Sequence, residues 1–203
     1  MKISERFERF KGYNRKKEKY KINIDKNESP LDLPSKLKDE IFDELTDIPL
    51  NRYPQINSEG LRKKVSDYIG FTKENIIVGN GSDAILPLLF KLFDTDQVVI
   101  NSPTFDMYSF YAKREGLTLV DVPLDDNFQI VNLGEKIDKP SIICICSPNS
   151  PTGNIQPREK IIDVLETDNL VILDEAYVDF SKETNIDLIQ EYDNLIVLRT
   201  LSK

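Results

Sequence analysis

Leu170-Val-Ile-Leu-Asp-Glu-Ala-Tyr177 runs four apolar residues, two of them β-branched, straight into two carboxylates. A run this short and this apolar predicts a strand buried on both faces. Such a strand belongs to a parallel sheet covered by helices, so this stretch decides the fold class. Its carboxyl end delivers Asp174 and Tyr177 to the rim of the sheet, where ligands bind in open α/β folds. A carboxylate there has left the core without reaching open water, and it needs a hydrogen-bonding or cationic partner.

Outward from this stretch, similar apolar runs recur at 76–78, 98–100, 117–122, 142–146 and 195–198. Helical patterns separate most of them, at 83–93, 105–115, 157–166 and, weakly, 185–189. The alternation predicts βαβ units and an α/β fold, a three-layer sandwich around a mainly parallel sheet. Before residue 76 the texture differs. Residues 34–45 read as a helix with Leu37, Ile41, Phe42 and Leu45 on one face. Ser58 reads as the N-cap of a second helix carrying Leu61, Val65, Tyr68 and Ile69. Residues 22–24 read as extended, and 27–30 as a turn. No internal repeat, low-complexity segment or linker stands out.

Composition narrows the chemistry. The chain has 203 residues, enough for one domain with a core and a small appendage, and a net charge of −8. That charge disfavours nucleic acid and anionic membrane as partners. The basic cluster Arg15, Lys16, Lys17, Lys19 and Lys21 reads first as a solvated face and second as a phosphate contact. Cys144 and Cys146, two apart in a strand, share one face and read as buried thiols. There is no histidine, which excludes Ser-His-Asp and Cys-His catalysis and leaves no ligand set for zinc. The N-terminus lacks the apolar core of a signal peptide, and no apolar run approaches a membrane span. A cytoplasmic protein is the expectation.

Five of the predicted strands end in unusual residues: Gly79-Asn-Gly-Ser-Asp83, Asn101-Ser-Pro-Thr-Phe105, Ser147-Pro-Asn-Ser-Pro-Thr-Gly153, Asp174-Glu-Ala-Tyr177 and Arg199-Thr-Leu-Ser-Lys203. In a parallel sheet all five meet on one edge. The glycine-rich turn before a helix suits a phosphate, or is a tight turn with Ser82 or Asp83 as N-cap. Ser147–Gly153 is a rigid loop, or a turn. Phe105 or Tyr108 can stack on a planar ligand, or belong to the core. Lys203 can serve as an amine nucleophile, or be a solvated tail. Together the parts suit pyridoxal phosphate. Its phosphate wants a helix N-terminus, its pyridinium a carboxylate, its ring an aromatic face and its aldehyde a lysine.

These residues, with Asn51-Arg-Tyr-Pro54 and Leu173-Asp-Glu-Ala-Tyr-Val-Asp-Phe180, resemble in order and spacing the class I/II, fold-type I pyridoxal-phosphate aminotransferases, in their histidinol-phosphate branch. The resemblance runs from about residue 22 to the final lysine. It implies that Lys203 forms the Schiff base and then moves the substrate proton. Asp174 would pair with the pyridinium nitrogen, Tyr177 with the ring oxygen, and Phe105 would stack on the ring. Ser82, Asp83 and Ser202 would form the phosphate cup. Tyr53 would reach the phosphate of a neighbouring subunit, implying a homodimer with shared sites. The implied reaction moves an amino group between L-histidinol phosphate and 2-oxoglutarate, in two half-reactions. Residues 1–50 would form an arm and helix, and 51–203 an incomplete cofactor-binding large domain, with the C-terminal small domain absent.

Three departures from the family's pattern stand out. Ser150 occupies the position of the asparagine that usually contacts the ring oxygen. Pro87 falls early in the helix after Ser82, where it removes a backbone donor and threatens a kink. The chain ends at Lys203, before the family's downstream arginines, so an inactive N-terminal fragment is the expectation. Within the family, a threonine-phosphate decarboxylase or an aromatic amino acid aminotransferase shares the same cofactor residues. Outside it, Gly79-Asn-Gly-Ser-Asp-Ala84 formally matches the dinucleotide fingerprint G-x-G-x-x-A, although Asn101 stands where a ribose-binding acid is wanted. A non-catalytic fragment that binds partners through an exposed sheet edge is the third alternative.

Overall fold

In the computed structural model, residues 21–22, 27–133 and 136–203 are described. Arg15, Lys16, Lys17 and Lys19 of the basic cluster, and most of the extended reading at 22–24, lie outside them. The chain divides into two compact units, one within 20–80 and one within 81–203.

The first unit holds α1 (Ser35–Thr46) and α2 (Glu59–Ile69). The predicted apolar face of α1 is present, yet Leu37, Ile41, Phe42 and Leu45 are all exposed. In α2 the Arg62 Nε donates to the Lys73 carbonyl at 3.0 Å, and the Lys73 ammonium pairs with Glu59 at 2.5 Å. Ser58 stands at the N-cap position but does not cap. Its φ of 49° is left-handed and its side chain makes no cap bond. A capping hydroxyl needs an extended backbone from which to reach back. The strand expected at 76–78 is also absent. Ile76 is extended and buried, but the segment joins no ladder. β-branched residues favour an extended backbone; a strand also requires a neighbour to pair with.

The second unit is a five-stranded sheet: β1 (Gln97–Ile100), β2 (Thr118–Asp121), β3 (Ile142–Cys146), β4 (Leu170–Asp174) and β5 (Leu195–Leu198). The order is β2-β1-β3-β4-β5 and every pair is parallel. Central β3 is buried at all five positions, which its unbroken apolar run Ile-Ile-Cys-Ile-Cys reflects. Helices α3 (Ser82–Leu92) and α4 (Met107–Glu115) cover one face, and α5 (Arg158–Leu165) covers the other.

Alternation along the strands sorts the two cores. Val98, Ile100, Ile142, Cys144, Cys146 and Ile172 pack with Leu86, Phe90 and Tyr108. Val99, Ile143, Ile145, Val171 and Leu173 pack with Ile161, Val164 and Leu188. Both cysteines therefore share one face as free buried thiols. The weak helical signal at 185–189 is a 3₁₀ turn, Ile186–Gln190, which contributes Leu188 to the second core. Pro87 does not interrupt α3. It is the sixth of eleven residues, with its ring buried. Neither Ser82 nor Asp83 is the N-cap of this helix; Gly81 is, at φ 71° and ψ 175°, a backbone open in practice only to glycine.

Candidate active site

Parallel pairing brings the carboxyl ends of β1, β3, β4 and β5 to one edge, and with them the loops that begin at Asn101, Ser147, Glu175 and Arg199. The fifth loop reaches that edge differently. Helix α3 runs back along the sheet before β1, so its N-terminus, at Ser82 and Asp83, lies beside the strands' carboxyl ends. No side chain caps this terminus.

Asp174 closes β4. Counting by twos from Ile172 places it on the α3–α4 face, under Tyr108. There it is only 3% exposed. The Tyr108 hydroxyl donates to its Oδ2 at 2.6 Å, and the Ala176 backbone N–H donates to Oδ1 at 3.0 Å. Among the described residues no lysine or arginine forms an ion pair with it. Burial therefore raises the Asp174 carboxyl above its ordinary value, and the Tyr108 hydrogen bond opposes that rise. Burial and the neighbouring Asp174 charge push the Tyr108 phenol well up, so it remains a donor. The same two causes push the Cys146 thiol up to about 12, which makes it an inert neighbour.

Phe105 is half-buried at the mouth of the loop after β1, its ring edge-on to Tyr108 with centroids 5.4 Å apart. Tyr177 is half-buried three residues beyond Asp174. The Lys203 Nζ lies 5.8 Å from the centre of the Tyr177 ring. Lys203 itself is exposed, as is Ser202, whose hydroxyl hydrogen-bonds Thr200 at 2.8 Å. Ser150 is half-buried in the loop after β3. Burial, with the Asp83 charge beside it, pushes the Tyr111 phenol up to about 12. A carboxylate repels an anion, so at Asp83 the backbone N–H, rather than the side chain, is the group suited to one. Tyr53 belongs to the other unit and is fully exposed.

Three residues matter here more than their sequence neighbourhood indicated. Tyr108 is one; its apolar helical position concealed a hydroxyl aimed at Asp174. Asn149 is the second. Buried, it accepts from Thr104 at 3.0 Å and donates to the Pro103 carbonyl at 2.9 Å and to Thr152 at 2.7 Å, joining two site loops. Its amide is thus committed and does not stand in for the asparagine missing at Ser150. Glu175 is the third. It is 1% exposed and accepts from the Asn185 N–H at 2.7 Å, Thr184 at 2.8 Å and Arg199 Nη2 at 2.7 Å. Only the adjacency of a second carboxylate to Asp174 hinted at this.

The dinucleotide alternative loses its structural context. Residues 76–78 form no strand ahead of the glycines, and Asn101 is buried with its amide on the Val122 carbonyl at 3.0 Å.

Comparison with known proteins agrees with the fold. The sequence profile of the family described as aminotransferase class I and II matches residues 19–203. A histidinol-phosphate aminotransferase of Thermococcus gammatolerans is 48% identical over 99% of this chain and 60% of its own length. The crystal structure of the histidinol-phosphate aminotransferase from Clostridium acetobutylicum superposes with a TM-score of 0.76 at 29% identity, covering 87% of this chain and 54% of that one. That of Sinorhizobium meliloti, solved in complex with pyridoxal-5'-phosphate, gives 0.75 at 22% identity, covering 88% and 51%, and supports the fold. The chain spans a little over half the length of the relatives it matches.

Proposed function

The chain belongs to the class I and II aminotransferases, and from that premise we propose that it carries the cofactor half of a pyridoxal-phosphate transaminase. The reaction proposed is amino transfer between L-histidinol phosphate and 2-oxoglutarate, in histidine biosynthesis. Relatives at 47–48% identity bearing the name histidinol-phosphate aminotransferase support this substrate.

The observation that carries the reading is Asp174. A carboxylate 3% exposed, held by two donors and paired with no cation among the described residues, suits a cationic ring nitrogen. The remaining donors fit the same group. Phe105 would stack on the ring, and Tyr177 and Ser150 would donate to its phenolic oxygen. The first N–H groups of α3, at Ser82 and Asp83, and the Ser202 hydroxyl would hold the phosphate. Tyr53 would reach the phosphate site of a second copy in a homodimer. When bound, the pyridoxal group draws electrons from the substrate's Cα and so makes its proton removable.

Within that frame each residue has a physical task. Asp174 keeps the ring nitrogen protonated. Lys203 would hold the group through its amine and, once freed, would carry the proton between the substrate's Cα and the group's C4′. Tyr177 keeps the ring oxygen hydrogen-bonded throughout. Residues 51–203 would be an incomplete large domain and 1–50 its arm and helix. The substrate-binding arginines would lie outside this stretch, so residues 1–203 alone would not turn over. The setting proposed is a cytoplasmic homodimer acting on small molecules, without nucleic acid or membrane partners.

Glutamate formation by the full-length protein from L-histidinol phosphate and 2-oxoglutarate tests the proposal. The K203A variant is expected to lose about 10²–10⁴-fold or more, the worth of a positioned proton-transfer group. Decarboxylation of threonine phosphate, or preference for an aromatic amino donor, would replace this substrate assignment with its nearest alternatives.

A further inference from the structure

The Tyr108 hydroxyl and ring touch two different residues of the candidate site. The hydroxyl donates to Asp174 Oδ2 at 2.6 Å, and the ring meets Phe105 edge-on at 5.4 Å. Tyr108 is 0% exposed and lies in the first turn of α4, so its position is set by the packing of that helix on the sheet. We propose that Tyr108 is a positioning residue for the cofactor, fixing the orientation and charge of Asp174 through its hydroxyl and the tilt of Phe105 through its ring.

This inference rests on the pyridoxal-phosphate reading above and adds a residue to it. A buried carboxylate without a cation drifts toward its neutral form, which would not hold a protonated ring nitrogen. Among the described residues two donors oppose that drift: the Ala176 N–H, which belongs to the turn itself, and the Tyr108 hydroxyl. The titratable groups facing Asp174 from neighbouring elements all favour the neutral form or are inert. Glu175 follows it in the loop after β4, and Cys144 and Cys146 lie on β3 with thiols pushed up by burial. Among the described residues, Tyr108 is thus the one side chain whose hydrogen bond to Asp174 favours the ionised form.

The test uses the full-length protein as wild type, Y108F, D174N and the double variant. Equilibrium dialysis gives the affinity for pyridoxal phosphate between about pH 5 and pH 8, and melting of the cofactor-free forms is followed over the same range. Y108F is expected to weaken binding roughly tenfold or more, the worth of a hydrogen bond to a charged group. The weakening at acid pH should begin at higher pH than in wild type, because Asp174 without its donor protonates more readily. On the D174N background Y108F should cost little further affinity.

Equal losses on both backgrounds would mean that Tyr108 acts only through packing, and would overturn the proposal. So would a cofactor-free Y108F whose melting follows pH as wild type does, since that comparison reads the Tyr108–Asp174 contact without any cofactor. Wild-type protein that binds no pyridoxal phosphate would instead sink the functional reading, and this role with it.

Discussion

At the scale of the residue, Asp174 concentrates the chemistry. Its position at the end of an apolar strand removes it from water, and burial raises its carboxyl above the ordinary 3.8. In the cofactor-free protein the folded state therefore holds this proton to higher pH than the unfolded chain does. Asp174 then favours folding at pH below 3.8, and that contribution is lost as pH rises through the window above it. The slope for one proton is at most about 1.4 kcal/mol per pH unit. D174N is expected to flatten it, as read by urea unfolding of the cofactor-free protein across that window; an unchanged slope would assign it to another group. Asp174 and Tyr177 were legible as rim residues because a strand end is a local feature. Tyr108 was not, because its partner lies 66 positions away in sequence.

At the scale of the element, the segment leading to Lys203 is anchored by Glu175. The Glu175 N–H donates to the Leu198 carbonyl at 2.8 Å, extending the β4–β5 ladder, while its carboxylate takes Arg199 Nη2 at 2.7 Å and Thr184 at 2.8 Å. The two partners of the ion pair differ in burial, with side-chain exposures of 25% for Arg199 and 1% for Glu175. Removing Arg199 strands a buried charge, whereas removing Glu175 leaves a guanidinium that water can reach. R199A is accordingly expected to cost about 3–5 kcal/mol and E175A distinctly less, measured by urea unfolding. The reverse order would mean that the buried carboxylate is carried by Thr184 and the Asn185 N–H without the arginine. Helix and strand identity was legible here from periodicity, and four of the five strand-end loops follow directly from it. The fifth reaches the edge without a strand before it. The apolar character of 76–78 sets an extended backbone, while ladder membership depends on a partner elsewhere in the chain.

At the scale of the whole molecule, apolar surface and charge act against each other. The net charge of −8 favours solubility, yet α1 presents Leu37, Ile41, Phe42 and Leu45 uncovered, and Ile48, Leu50, Ile56 and Ile77 are exposed as well. Residues 1–203 produced alone should therefore bind an apolar-surface dye and associate beyond a dimer as concentration rises, whereas the full-length protein should bind no dye and stay dimeric. A dye-silent, monodisperse monomer of residues 1–203 would show that these side chains are tolerated in water.

The order of the residues determined the fold class, the identity of most helices and strands, and which loops gather at one edge. These follow from hydrophobic period and from the rule that parallel strands end on the same side, both of which act over a few residues at a time. Only the tertiary structure decided that Asp174 meets Tyr108, that Asn149 joins two loops, and that Glu175 is tied to Arg199. The structure likewise decided that 76–78 stays outside the sheet. Each of these depends on pairing between segments tens of residues apart, where strand register and helix packing, rather than local pattern, choose which polar groups meet.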